Sequence, residues 1–174
     1  MEKSDKIRQA TVAGKFYPSS SQGLRNQIET LIDKNADKLD IIACMLPHAG
    51  YIYSGGVAAQ TVSRINIKNK IILLGPNHTG YGANYSIMTE GTWQTPLGEV
   101  KIDSNLAGEM LKRSKYLESD NEAHAYEHSL EVELPFLQYF KTDFKIVPII
   151  FLSDAFAELK EIGVEIASTI KEHD

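Results

Sequence analysis

Two of the five histidines occupy the same kind of place, each in a Pro/Gly-containing turn directly after an apolar run. They are His48 in Pro47-His48-Ala49-Gly50-Tyr51 and His78 in Gly75-Pro76-Asn77-His78-Thr79-Gly80. Proline and glycine permit tight backbone turns, which let side chains converge on a small volume. If the two runs are neighbouring strands, about 5 Å apart, His48 and His78 can share one ligand. Neutral imidazole nitrogens suit zinc, copper and non-haem iron, so a metal site is the sharp expectation. The bland alternative is that each ring only hydrogen-bonds its own turn.

A second cluster lies at Glu122-Ala123-His124-Ala125-Tyr126-Glu127-His128-Ser129. His124 to His128 reads H-x-x-E-H, which on one helix would make a zinc peptidase centre with Glu127 as base. Ser129 can instead begin the next helix and leave both histidines in a loop, where that geometry fails, and Pro135 disturbs a long helix across the segment. In that case His128 beside Glu127 is a candidate proton-transfer residue, since a neighbouring carboxylate orients and tunes an imidazole. The remaining candidates are weaker. Cys44 is expected as a small core residue, and Trp93 in the rigid loop Trp93–Gly98 as a pocket wall or a core aromatic. Tyr51, Tyr53 and Tyr81 can offer hydroxyl donors beside the histidine turns or simply pack. No nucleophile elbow, dinucleotide fingerprint or phosphate loop is present.

The elements that would position these residues alternate. Leu24, Ile28, Leu31 and Ile32 predict a helix near 22–35 after the Ser19–Ser21 run, which can supply its cap. Ile41–Leu46 and Lys70–Leu74 predict strands buried on both faces, separated by a helix-compatible stretch from Gly55 to Ile65. Ser86–Thr89 and Val100–Ile102 predict short strands, and Leu106, Ala107, Met110 and Leu111 a helical face. Phe144–Leu152 predicts a third apolar strand. Phe156, Leu159, Ile162, Ile166 and Ile170 line a final helix running to Asp174. This order predicts an α/β fold with a largely parallel or mixed central sheet flanked by helices. In such sheets ligands bind outside the carboxyl ends of the strands, which is where both histidine turns would lie. The last helix would ordinarily cross over to another strand.

The chain has 174 residues, 43% hydrophobic and 24% charged, with a net charge of −5, so one globular domain spanning 1–174 is expected. The acidic balance and the lack of a basic cluster disfavour a nucleic-acid surface. No run approaches the roughly 20 apolar residues of a membrane span, and Met1–Ala10 has no secretory apolar core. With its single cysteine the sequence reads as cytoplasmic.

Five separated motifs then occur together. They are Ala13-Gly14-Lys15-Phe16-Tyr17-Pro18; Pro47–Tyr51 with Ser54-Gly55; Leu74–His78; Trp93-Gln94-Thr95-Pro96-Leu97-Gly98; and Glu127–Val132 with Leu134-Pro135-Phe136. In this order they resemble the Memo family, in particular the archaeal and bacterial branch called AmmeMemoRadiSam system protein B. The resemblance implies a fold like the LigB-type class III extradiol dioxygenases, with phosphorylase/hydrolase-like layers. It also implies a non-haem metal, iron or copper ahead of zinc, held by His48 and His78, with His128 as acid/base. His124, Tyr51, Asn77, Glu127 and Trp93 are expected to line the pocket. The implied activity is redox or dioxygenase-like, on a small molecule or peptide. The alternative is a peptide- or partner-binding protein using the same pocket without turnover, as described for animal relatives. The family pattern continues beyond Asp174 and supplies a third metal ligand there, a cysteine in animal members. Cys44 does not match that position, so the resemblance implies a domain without its C-terminal strands.

Overall fold

The structure, a computed structural model, describes residues 6–173. Asp174, where the last helix was expected to end, and Met1–Asp5 of the segment read for a leader lie outside the described residues.

Strand β1 (Ile7–Arg8) opens the chain and is followed by α1 (Ser21–Leu31). Ser20 caps α1, its side chain accepting the Gly23 N–H at 3.2 Å. The helix stops short of the predicted 35 because the chain turns extended at Ile32, where the Asp33 N–H donates to Ser63 Oγ at 2.9 Å. Helix α2 (Tyr51–Ser63) begins four residues ahead of Gly55, directly after the first histidine turn, with Gly50 as its cap residue. Next come β2 (Lys70–Pro76), β3 (Tyr85–Ile87), β4 (Thr92–Thr95), β5 (Gly98–Ile102) and α3 (Ser104–Arg113). The remainder is β6 (Glu118–Ser119), α4 (Glu122–Ala125), a 3-10 turn Glu131–Glu133, α5 (Leu134–Phe140), β7 (Lys145–Phe151) and α6 (Phe156–His173). Pro135 occupies the first turn of α5, where its missing N–H costs nothing, and so starts that helix instead of breaking one.

Among the described residues seven strands form one mixed sheet, in the order β1-β4-β5-β7-β3-β6, with β2 also joined to β7. β7 is central: Ile146, Val147, Ile149 and Ile150 are buried, which matches its continuous apolar sequence. It pairs in parallel with β2 from Lys70↔Lys145 to Pro76↔Phe151, and on its other side with β5 (parallel) and β3 (antiparallel). α1 and α2 pack together with α5, while α3 packs against α6. No described helix is long and apolar enough to cross a membrane.

Five expectations are corrected. Ile41–Leu46 forms no strand: its neighbour Leu39 makes an isolated bridge with Ile65, and Ile42 and Met45 are exposed. An apolar run becomes a buried strand only if a neighbour supplies its ladder, and among the described residues none does. Cys44 on that run is therefore exposed and not a core residue. β2 is a strand, but among the described residues only one of its edges is paired, and Leu74 is exposed. The segment around Trp93 is not a rigid loop. β4 and β5 make an antiparallel hairpin, Thr92↔Lys101 to Thr95↔Gly98, and Trp93 is buried in the core. On α6, Ile162 and Ile166 are buried but Phe156 is exposed, so the apolar face is shorter than predicted.

Candidate metal centre

The two loops that follow β2 and α4 meet at the carboxyl end of β2. Gly75 is the residue that lets them: a Cβ there would lie 2.7 Å from Leu130 Cδ2 and 3.0 Å from Ser129 Oγ, so a side chain would push the second loop away. Ser129 Oγ donates to the Pro76 carbonyl at 2.8 Å, closing the contact. The second loop is held from behind by Arg8, whose Nε donates to the His124 carbonyl at 3.1 Å and whose Nη2 donates to the Glu127 carbonyl at 2.5 Å. Arg8 also pairs with the buried Glu131 carboxylate and lies over the Trp93 ring at 4.4 Å. Glu131 in turn accepts from Thr11 N–H at 2.9 Å, Val12 N–H at 3.0 Å and Tyr17 O–H at 2.6 Å. Burial opposes the charge on Glu131, but Arg8 and these donors outweigh it and hold its pKa below the ordinary carboxylate value.

This framework brings His78 and His128 together, and His48, in the turn just ahead of α2, lies beside them. Their ring centroids are 5.2 Å apart for His48–His78, 4.8 Å for His78–His128 and 6.1 Å for His48–His128. Phe16 packs edge-on against His128 at 4.9 Å and walls the cluster. Glu127 lies beneath, 1% exposed in its side chain. Its Oε1 is 3.0 Å from His78 Nδ1 and accepts the N–H groups of His128 and Ser129 at 2.8 Å each, while Oε2 accepts the His78 N–H. Burial alone would raise the Glu127 pKa, but the hydrogen bonds from the His78 ring and from the Ser129 and His78 backbone hold it down at about 2. An ionised Glu127 must receive the proton on His78 Nδ1, which leaves the Nε2 lone pair of His78 free. Burial lowers the His48 pKa, and the neighbouring His78 and His128 rings lower it further. Burial also lowers that of His128, against the pull of Glu127. Rings with lowered pKa values are neutral at pH 7 and have lone pairs to offer. His78, Glu127 and His128 can each present a ligand atom, all within 4.8 Å of one another.

Of the other expected pocket residues, His124, Trp93 and Tyr51 are buried in the core, and Asn77 stays in the His78 turn. His124 is fully buried in the single turn of α4, edge-on to Trp93 at 6.0 Å, and burial pushes its pKa down to about 4. α4 ends at Ala125, so His124 and His128 share no helix and the zinc-peptidase arrangement does not form. Trp93 packs in the core with His124 and Arg8. Tyr51 is likewise core, stacked on Phe136 at 4.3 Å with its hydroxyl donating to the Val132 carbonyl at 2.9 Å. Asn77 shapes the turn: its Oδ1 accepts from Thr79 N–H and Oγ1, and its Nδ2 donates to the Tyr81 carbonyl. Tyr53 and Tyr81 are exposed. Arg8 and the packing role of Phe16 carried no signal in the sequence, because the buried partner that makes Arg8 important, Glu131, lies 123 residues away.

A family model for Memo-like proteins matches residues 8–174. The chain belongs to the Memo family. It is 42% identical over 171 residues to a MEMO1 family protein of Aquifex aeolicus, covering 97% of this chain and 64% of that protein. It is 43% identical over 168 residues to one of Methanococcoides burtonii, covering 95% and 62%. For a Saccharolobus islandicus MEMO1 family protein the figures are 44% over 161 residues, 83% and 57%. The chain thus spans 57% to 64% of the length of these Memo relatives. The match begins at Arg8, the residue that braces the His128 loop.

Proposed function

We propose that this Memo protein binds one first-row transition-metal ion, iron, copper or zinc, through His48, His78 and His128. The carrying observation is the spacing of three lowered-pKa or carboxylate-fixed imidazoles on one rim. Rings bound to a common ion at 2.0–2.1 Å, with angles between octahedral and tetrahedral, have centroids roughly 4.5–5.2 Å apart. His48–His78 at 5.2 Å and His78–His128 at 4.8 Å fall in that range, and His48–His128 at 6.1 Å is wider. Three nitrogen ligands are the number that stable open sites commonly use. In this reading His128 is a ligand and not the proton-transfer residue of the sequence reading. Glu127, saturated by four hydrogen-bond donors, acts through the rings it holds.

A bound ion of this kind supplies Lewis-acid or redox chemistry. The chain's own contribution is to hold His78 in one tautomer through Glu127, to keep His48 and His128 neutral, and to leave a face open. The His78 side chain is 44% exposed and that of His128 24%. A small molecule or peptide can therefore approach from the His78 side, and dioxygenase-like oxidation is the activity we assign to the centre. The test is metal analysis and titration of the wild type against a His48→Ala, His78→Ala double variant. Stoichiometric binding of iron, copper or zinc that the double variant loses supports the reading; equal binding by both proteins overturns it.

A further inference from the structure

Phe16 touches the centre twice. Its ring packs edge-on against His128, with centroids 4.9 Å apart and the ring planes at 64°. Its carbonyl accepts the Tyr51 N–H at 2.8 Å. Tyr51 is the first residue of α2, three residues after His48, and its N–H is one of those that a helix start leaves without an intrahelical partner. One residue thus joins the His48 turn to the His128 loop. These two rings are also the most widely separated of the three, at 6.1 Å. The other pair, His78 and His128, is tied by Glu127.

The turn that carries Phe16 is closely fastened. The Lys15 and Phe16 N–H groups both donate to the Val12 carbonyl, at 3.0 and 2.9 Å, and the Gly14 N–H donates to the Tyr17 carbonyl at 2.7 Å. Gly14 turns the chain at φ +82°, a conformation that favours glycine. Both ends of the turn bond the buried Glu131, through the Thr11 and Val12 N–H groups and the Tyr17 hydroxyl. The Tyr17 ring in turn lies against Tyr51, at 5.5 Å. Within the centre the two loop histidines differ in what orients them. His78 Nδ1 is 3.0 Å from Glu127 Oε1, whereas His128 Nδ1 is 3.4 Å from the same atom, beyond the usual hydrogen-bond distance. The His128 ring therefore relies on packing, and an edge-to-face contact is a preferred arrangement of two aromatic rings.

We infer that Phe16 is a positioning residue of the centre, an inference that rests on the three-histidine reading above. Anchored by its carbonyl to the His48 turn, Phe16 holds the His128 ring edge-on and so sets the spacing of His48 and His128. Its ring does for His128 what the Glu127 carboxylate does for His78.

The test uses Phe16→Ala, Phe16→Leu and Phe16→Tyr. Phe16→Leu keeps apolar bulk, and with it the fold, but has no ring edge; Phe16→Tyr keeps the ring. The deciding measurement is NMR relaxation of isotope-labelled histidine side chains in the metal-free proteins. The His128 ring order parameter should fall from about 0.85 to below about 0.6 in the Ala and Leu variants, while that of His78, held by Glu127, stays as in the wild type. Phe16→Tyr should restore His128. Competition titration with zinc(II) should show affinity about tenfold lower for the Ala and Leu variants and wild-type affinity for Phe16→Tyr. An unchanged His128 order parameter in the Ala and Leu variants overturns the inference whatever the affinity does. So does equal loosening of His78, which would make Phe16 a general packing residue. If the wild type binds no zinc, iron or copper, the metal reading fails, and the order parameters still decide whether Phe16 holds His128.

Discussion

At the scale of single residues, Glu127 does the most for the centre, because one carboxylate fixes the backbone of both histidine loops and the tautomer of His78. A positioning carboxylate and a ligand differ in what their loss does. Glu127→Gln keeps an acceptor for the backbone N–H groups but loses the charge that holds the His78 proton. Metal affinity should fall roughly 10–100-fold, as for other partners of metal-bound histidines, with binding still measurable by competition titration. Complete loss, equal to that of the His48→Ala, His78→Ala protein, would instead make Glu127 a ligand. The residue types were legible from sequence: His48, His78 and His128 stand out by their turns and neighbours. What was not legible is which aromatic and histidine neighbours stay behind in the core. Tyr51, Trp93 and His124 sit beside the same motifs, but helix phase and hairpin register turn them inward.

At the scale of elements, the site depends on a short N-terminal strand gripping a loop from a distant part of the chain. Arg8 and Glu131 form a buried ion pair, and removing one member leaves the other charged and without its partner. Glu131→Gln should therefore destabilise the protein by about 3–5 kcal/mol, a drop in melting temperature of about 10 °C or more. A change under a few degrees would mean that the backbone contacts of Arg8 alone hold the loop. The sequence predicts α3, β7 and α6 well because each carries its own periodicity or its own uninterrupted apolar run. It misses β4, since the Trp93–Thr95 half of the hairpin has no alternation distinct from its turn. It also overstates Ile41–Leu46, since apolar composition reports what a segment can bury and not whether a neighbour is there to bury it.

At the scale of the whole molecule, two buried titratable groups set opposing pH dependences. His124 has its pKa lowered from the ordinary 6.5 to about 4, so the folded state binds fewer protons than the unfolded between those values. It therefore costs stability as pH falls through that window, roughly 3 kcal/mol in full. Glu133 has its pKa raised from 4.5 to about 8 by burial, so the folded state binds more protons and stability falls as pH rises through that range. Over 4.5–6.5 the two nearly cancel. Urea midpoints measured against pH should show His124→Phe gaining relative stability towards pH 4, and Glu133→Gln gaining it towards pH 8. Parallel profiles for wild type and both variants would show that neither group carries the dependence. The central claim lies at the rim, in the three histidines. X-ray absorption of the metal-loaded protein counts its imidazole ligands directly. Three are expected, falling to one in the His48→Ala, His78→Ala variant if any metal remains. A metal environment of oxygen ligands with no imidazole in the wild type would contradict it.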